Sequence, residues 1–109
     1  MKRIYNDFIP PRGYAALNFF GILFVRRGII ITDRILNHEK IHSAQMKEML
    51  YIFFYIWYIA EWGIKLLKYK RVHTAYRAIS FEREAYANDF NREYLKTRKR
   101  FAFIKYCRL

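Results

Sequence analysis

The chain is poor in the residues that would staple or break it. One cysteine, Cys107, stands among 109 residues, which excludes an internal disulfide framework and any cysteine-built zinc ribbon. Acidic residues are scarce: nine Asp and Glu face 21 Lys and Arg, leaving a net charge of +12. An excess of that size draws the chain toward something acidic, namely nucleic acid, an anionic membrane face or an acidic partner. Only two prolines occur, both by residue 11. No apolar core of a secretion signal follows the early charges, and a cytoplasmic location is the expectation. Aromatic residues, by contrast, are abundant at 20% of the chain within 54% hydrophobic residues. Such a composition supports one packed core and excludes a disordered chain.

The elements follow from spacing. Residues 1–13, with Pro10, Pro11 and Gly13, read as an irregular lead-in. Two apolar runs around Arg-Arg-Gly predict a β-hairpin, roughly 17–25 with 28–31. Thr32 and Asp33 suit the start of a helix, in which Ile35, Ile41 and Met46 recur at helical spacing. Residues 49–67 are apolar nearly all round, interrupted by Glu61, Gly63 and Lys65. They read first as a central core helix and second as a membrane-surface helix. The unbroken apolar part, 49–60, is shorter than the roughly 17–25 residues a spanning helix needs. Another helix, capped by Thr74 or Ser80, is expected to run through FEREAYANDFNREYLK. Residues 97–109 form a basic, aromatic tail, read as solvated or lipid-facing in preference to nucleic-acid binding. No repeat or boundary divides the chain, so 1–109 is expected to be a single α+β domain.

His38, Glu39 and His42 spell H-E-x-x-H. On a helix, positions four apart share a face, so two imidazoles can converge on one ion with bonds of about 2.0–2.1 Å. Glu39, offset by about 100°, lies near that ion but outside its ligand set. Zinc brings the pKa of bound water to about 7, and a carboxylate so placed can take the proton. Chance produces this pentad in under roughly 1% of chains this short. A tetrahedral site needs another protein ligand. No H-E-x-x-H-x-x-G-x-x-H extension supplies it, because Gln45 and Glu48 occupy those positions. The candidates left are His73, after a basic link, and Glu82 or Glu84, which stand about 200° apart on one helix. Positions 82, 85, 86 and 89 form one stripe of that helix, and Glu84 falls outside it, where a solvated charge is the simpler reading.

H-E-x-x-H followed at a distance by E-x-x-A resembles the gluzincin branch of zinc metallopeptidases. The extended pattern His38-Glu39-x-x-His42-x-x-Gln45 with Glu82-x-x-Ala85 is most similar to its smallest members, the minigluzincins. The resemblance implies a minimal zincin-like fold: a short sheet, an active-site helix, a long apolar helix and a glutamate helix. It implies one Zn2+ on His38, His42 and Glu82, with Glu84 as the fallback ligand. Glu39 would be the general base and a peptide or protein the substrate. Ala85 would be the small residue that lets the glutamate helix approach. Tyr86 stands where the family has an Asp that orients a ligand histidine, leaving that role to the Tyr86 hydroxyl or to nothing. Gln45, Tyr86, Tyr76 and His73 are the further polar candidates for supporting the ligands or an oxyanion. The second reading is a metal-binding module with weak or no turnover, at an anionic membrane surface.

Overall fold

A computed structural model describes residues 1–107; the last two positions of the 97–109 tail lie outside the described residues. Three strands, β1 (Arg3–Asn6), β2 (Ala16–Phe19) and β3 (Ile22–Arg26), precede the helices α1 (Asp33–Glu48), α2 (Ile52–Tyr69), α3 (Val72–Ala78), α4 (Ser80–Asn88) and α5 (Tyr94–Thr97). A short 3-10 helix, Ala102–Tyr106, follows. The chain is therefore an α+β domain with a small sheet.

The sheet differs from the expected hairpin in both its turn and its strand count. Strand order is β1-β3-β2, with β3 antiparallel to β2 and parallel to β1. The β2–β3 turn is Phe20-Gly21, both at positive φ (52° and 89°), as a two-residue turn matched to strand twist requires. Asn18 Oδ1 accepts from the Gly21 N–H at 2.9 Å and steadies it. Arg-Arg-Gly ends β3 instead of joining strands, and residues 28–31 form no strand. The lead-in is not irregular throughout: Arg3–Asn6 pairs with Leu23–Arg26. After β1, Asn6 Oδ1 accepts from the Phe8 and Ile9 N–H groups, turning the chain away.

Helix α1 starts as expected. The Thr32 hydroxyl accepts from the Ile35 N–H at 3.2 Å, and Asp33 in the first turn suits the positive end of the dipole. The expected run 49–67 breaks at Leu50 and Tyr51, both at positive φ, and α2 leaves at 113° to α1. This turn drives Phe54 into a cluster with Met46, Ile79, Phe81 and Phe103. Ring centroids lie 4.4 Å apart for Phe54–Phe81 and for Phe81–Phe103. Each buried Phe stabilises by roughly 1.5–3 kcal/mol.

Three expectations fail here. α2 is not a central core helix: of its residues only Phe54 and Lys65 are buried. The glutamate helix starts at Ser80 and stops at Asn88 instead of running on. Asn37 Nδ2 donates to the Asp89 and Asn91 carbonyls there, giving the chain partners other than a further helical turn. The tail is not simply solvated: Phe103 enters the core and Arg98 is buried against Glu48 and Glu84.

Candidate metal centre

Helix α1 carries His38, Glu39 and His42 on its buried side, and α4 packs across it. Ala85, fully buried, has no side chain beyond Cβ to hold the two helices apart. The result is a close triangle. Glu82 Oε1 lies 3.2 Å from His38 Nε2 and 3.0 Å from His42 Nε2, and the two Nε2 atoms are 3.2 Å apart. Donors bonded at about 2.0–2.1 Å to one tetrahedral ion stand roughly 3.3 Å apart, so these three atoms fit one small cation. Among the described residues His38, Glu39 and His42 also stand at metal-ligand spacing, but Glu39 Oε2 is 4.0 Å from His38 Nε2, whereas Glu82 Oε1 is within 3.2 Å of both imidazoles.

The hydrogen bonds behind the triangle decide what its atoms can do. Gln45 Nε2 donates to the Phe81 carbonyl and to Glu84 Oε1. Its Oε1 therefore faces His42 Nδ1, at 2.7 Å, and must accept from it. Asp89 Oδ2 accepts from His38 Nδ1 at 3.0 Å, while its Oδ1 takes the Arg34 Nε–H at 2.6 Å. Both imidazoles thus carry their proton on Nδ1 and turn an Nε2 lone pair toward Glu82. Three acceptors face one another, and only a proton or a metal cation between them makes that arrangement favourable. The electrostatics agree. Burial opposes a charge on His42, but the Glu82 carboxylate outweighs it and pushes the imidazole up to about 9. For Glu82, burial is likewise outweighed by the two histidines, which hold the carboxyl well below the usual range.

No protein-family model, curated protein or solved structure matches the chain.

The remaining candidates separate by position. Glu39 is buried, with Oε2 4.0 Å from His38 Nε2, beside the triangle. Burial raises its carboxyl pKa, and the two histidines only partly offset this. Glu82 Oε2 accepts from the Tyr58 hydroxyl at 2.7 Å. The Tyr76 and Tyr86 hydroxyls meet at 3.2 Å. Burial raises both above the usual phenol range, so each remains a protonated donor near neutral pH. The Tyr86 ring packs on His38 at 4.5 Å between centroids, with the Arg77 guanidinium 3.6 Å from its centroid. His73 does not join the triangle; it is exposed at the mouth of a cleft of about 390 Å³ that reaches His38 and Glu39.

Two expectations are corrected. The contact to His38 Nδ1 is neither missing nor made by the Tyr86 hydroxyl: Asp89 makes it, one turn further along the same stripe. That stripe was visible in the sequence, although the end of α4 just before Asp89 was not. Glu84 is neither a solvated charge nor at the triangle. It is fully buried, accepting from Gln45, Tyr94 and Arg98. Residues without a motif, Tyr58 and Arg34, also support the site, and their contacts span 24 and 55 positions, beyond any local pattern.

Proposed function

We propose that this chain is a zinc-dependent metallopeptidase of minimal zincin-like architecture. The observation that carries the reading is the convergence of His38 Nε2, His42 Nε2 and Glu82 Oε1 with both Nδ1 protons tied away from the centre. Two imidazoles and a carboxylate suit a borderline cation such as zinc, which would supply Lewis acidity and a water of lowered pKa.

The chain's own groups divide the remaining work. Glu39 accepts a proton from the attacking water and returns it to the leaving amine; its raised pKa brings it nearer the working range of a general base. Asp89 and Gln45 keep the imidazoles in one tautomer and orientation. The tyrosine pair at the cleft, Tyr76 and Tyr86, can donate to an oxygen that becomes negative. Strand β2 is an edge of the sheet and is tied to α1 by Asn18 Nδ2, which donates to the Glu39 carbonyl at 2.8 Å. An extended peptide added along that edge would run beside the cleft. The alternative of a metal-binding module without turnover rests in part on the missing Asp after Ala85, and Asp89 makes that contact to His38 instead.

Cleavage of a peptide library, read by mass spectrometry, tests the proposal. Zinc-loaded wild type should cut, and Glu39→Gln should retain the metal while losing cleavage by at least the roughly 100-fold typical of a lost general base. Equal cleavage by both, or none by zinc-loaded wild type, would overturn it.

A further inference from the structure

Helix α2 presents an unusual outer face. Every exposed position from Ile52 to Leu67 is apolar or glycine: Ile52, Phe53, Ile56, Trp57, Ile59, Ala60, Gly63, Ile64 and Leu67. These span an arc of about 160° and a length of roughly 22 Å. Leu67 is 80% exposed, and Ile52 and Ile59 are 64% exposed. Such a face without a polar side chain is a docking surface rather than ordinary scattered exposure.

The groove beside this face is lined by α2 and by Leu50, Phe101 and Cys107. Its two acidic residues are turned to internal partners. Glu48 accepts from Arg98 and the Phe101 N–H, and Glu61 accepts from the Trp57 indole and from Ser80. Exposed cations surround it instead. Lys68 lies in the last turn of α2 and Lys70 and Arg71 follow it, Lys47 precedes its N-terminal end, and Lys99, Arg100 and Lys105 flank Phe101 and Phe103. An apolar strip with a basic rim suits the boundary between acyl chains and anionic headgroups. A second copy would set the same basic rim against itself, between two chains of net charge +12 each. Among the described residues no single helix is long and apolar enough to cross a membrane.

We infer that α2 seats the protein on an anionic lipid surface, lying in the interface with its apolar face toward the acyl chains. Tyr58, on the inward side of α2, bonds Glu82, so the metal-centre side of the molecule stands off the lipid by about one helix diameter of 10–12 Å. This inference is independent of whether the centre hydrolyses peptides.

Flotation of the full chain with vesicles of phosphatidylcholine, with and without phosphatidylserine, tests it. Wild type should float with the phosphatidylserine vesicles at low salt and dissociate as salt rises. Ile59→Glu with Ile64→Glu should weaken partitioning at least tenfold, as should Lys99→Glu with Arg100→Glu. Ile59→Leu should bind as wild type does. All these side chains are exposed, and matching helical circular dichroism checks that each variant folds. Binding to neither vesicle, or binding that both double variants retain, would overturn the inference. So would a concentration-dependent dimer abolished by Ile59→Glu in a protein that does not float, because a second copy would then own the face.

Discussion

Replacing Glu84 by Gln keeps the shape of the side chain and removes one charge from a buried ionic cluster. Glu84 is fully buried and accepts from Gln45, Tyr94 and Arg98. The Arg98 side chain is itself only 5% exposed. Removing one member of a buried pair costs about 3–5 kcal/mol. Arg98 keeps its two bonds to Glu48, at 3.0 and 2.7 Å, so the expected loss is smaller, about 2–3 kcal/mol. In a domain of this size that lowers Tm by roughly 10–20 °C, read by circular dichroism on metal-free protein. The new amide can also offer its NH2 to Gln45, removing the preference that points Gln45 Oε1 at His42; zinc affinity should fall by about tenfold. The acid limb of stability should flatten too. Glu84 lies below the usual carboxyl range because its hydrogen-bond partners, Arg98 foremost, outweigh burial. Its contribution is therefore present above its unfolded value of 4.5 and lost as pH falls through the lower folded value. A Tm within about 2 °C of wild type, with unchanged zinc affinity, would refute this account of Glu84.

Other outcomes follow from the same contacts. Asp89→Asn removes the acceptor that holds His38 Nδ1–H; a chelator competition titration should show zinc bound roughly 10–100-fold more weakly but not lost. Thr32→Ala removes the α1 cap and should cost about 1 kcal/mol in denaturant unfolding, with metal affinity unchanged. In metal-free protein His42 is pushed up from 6.5 to about 9. Stability from that proton is full below pH 6.5 and lost as pH rises through about 9. Zinc must displace the proton, so its affinity should climb across that window and calorimetry should detect proton release; a pH-independent affinity would contradict this.

Local chemistry was legible in the sequence and long-range packing was not. Thr32 capping α1 and the shared face of His38 and His42 follow from spacing of three and four residues, and both appear in the fold. The stripe through Glu82, Ala85 and Asp89 likewise needed only the helical period. Strand β1 was missed because its partner is about 20 residues away in a parallel register. The buried face of α2 could not be chosen because its pattern points the other way: the unbroken apolar arc faces outward, while Lys65 is buried and Glu61 bonds Ser80. Glu84 looked solvated because Arg98, its counter-charge, arrives from another segment altogether.

The proposed metal centre holds one ion on His38, His42 and Glu82. Elemental analysis of protein purified without added metal, followed by zinc titration against a chromogenic chelator, measures it directly. One zinc per chain is expected in wild type and in Glu39→Gln. His38→Ala should lose it, and Glu82→Gln should weaken it by more than the roughly 10–100-fold typical of a supporting partner. A wild type that binds no zinc, or a Glu82→Gln variant that binds it as wild type does, would contradict the account.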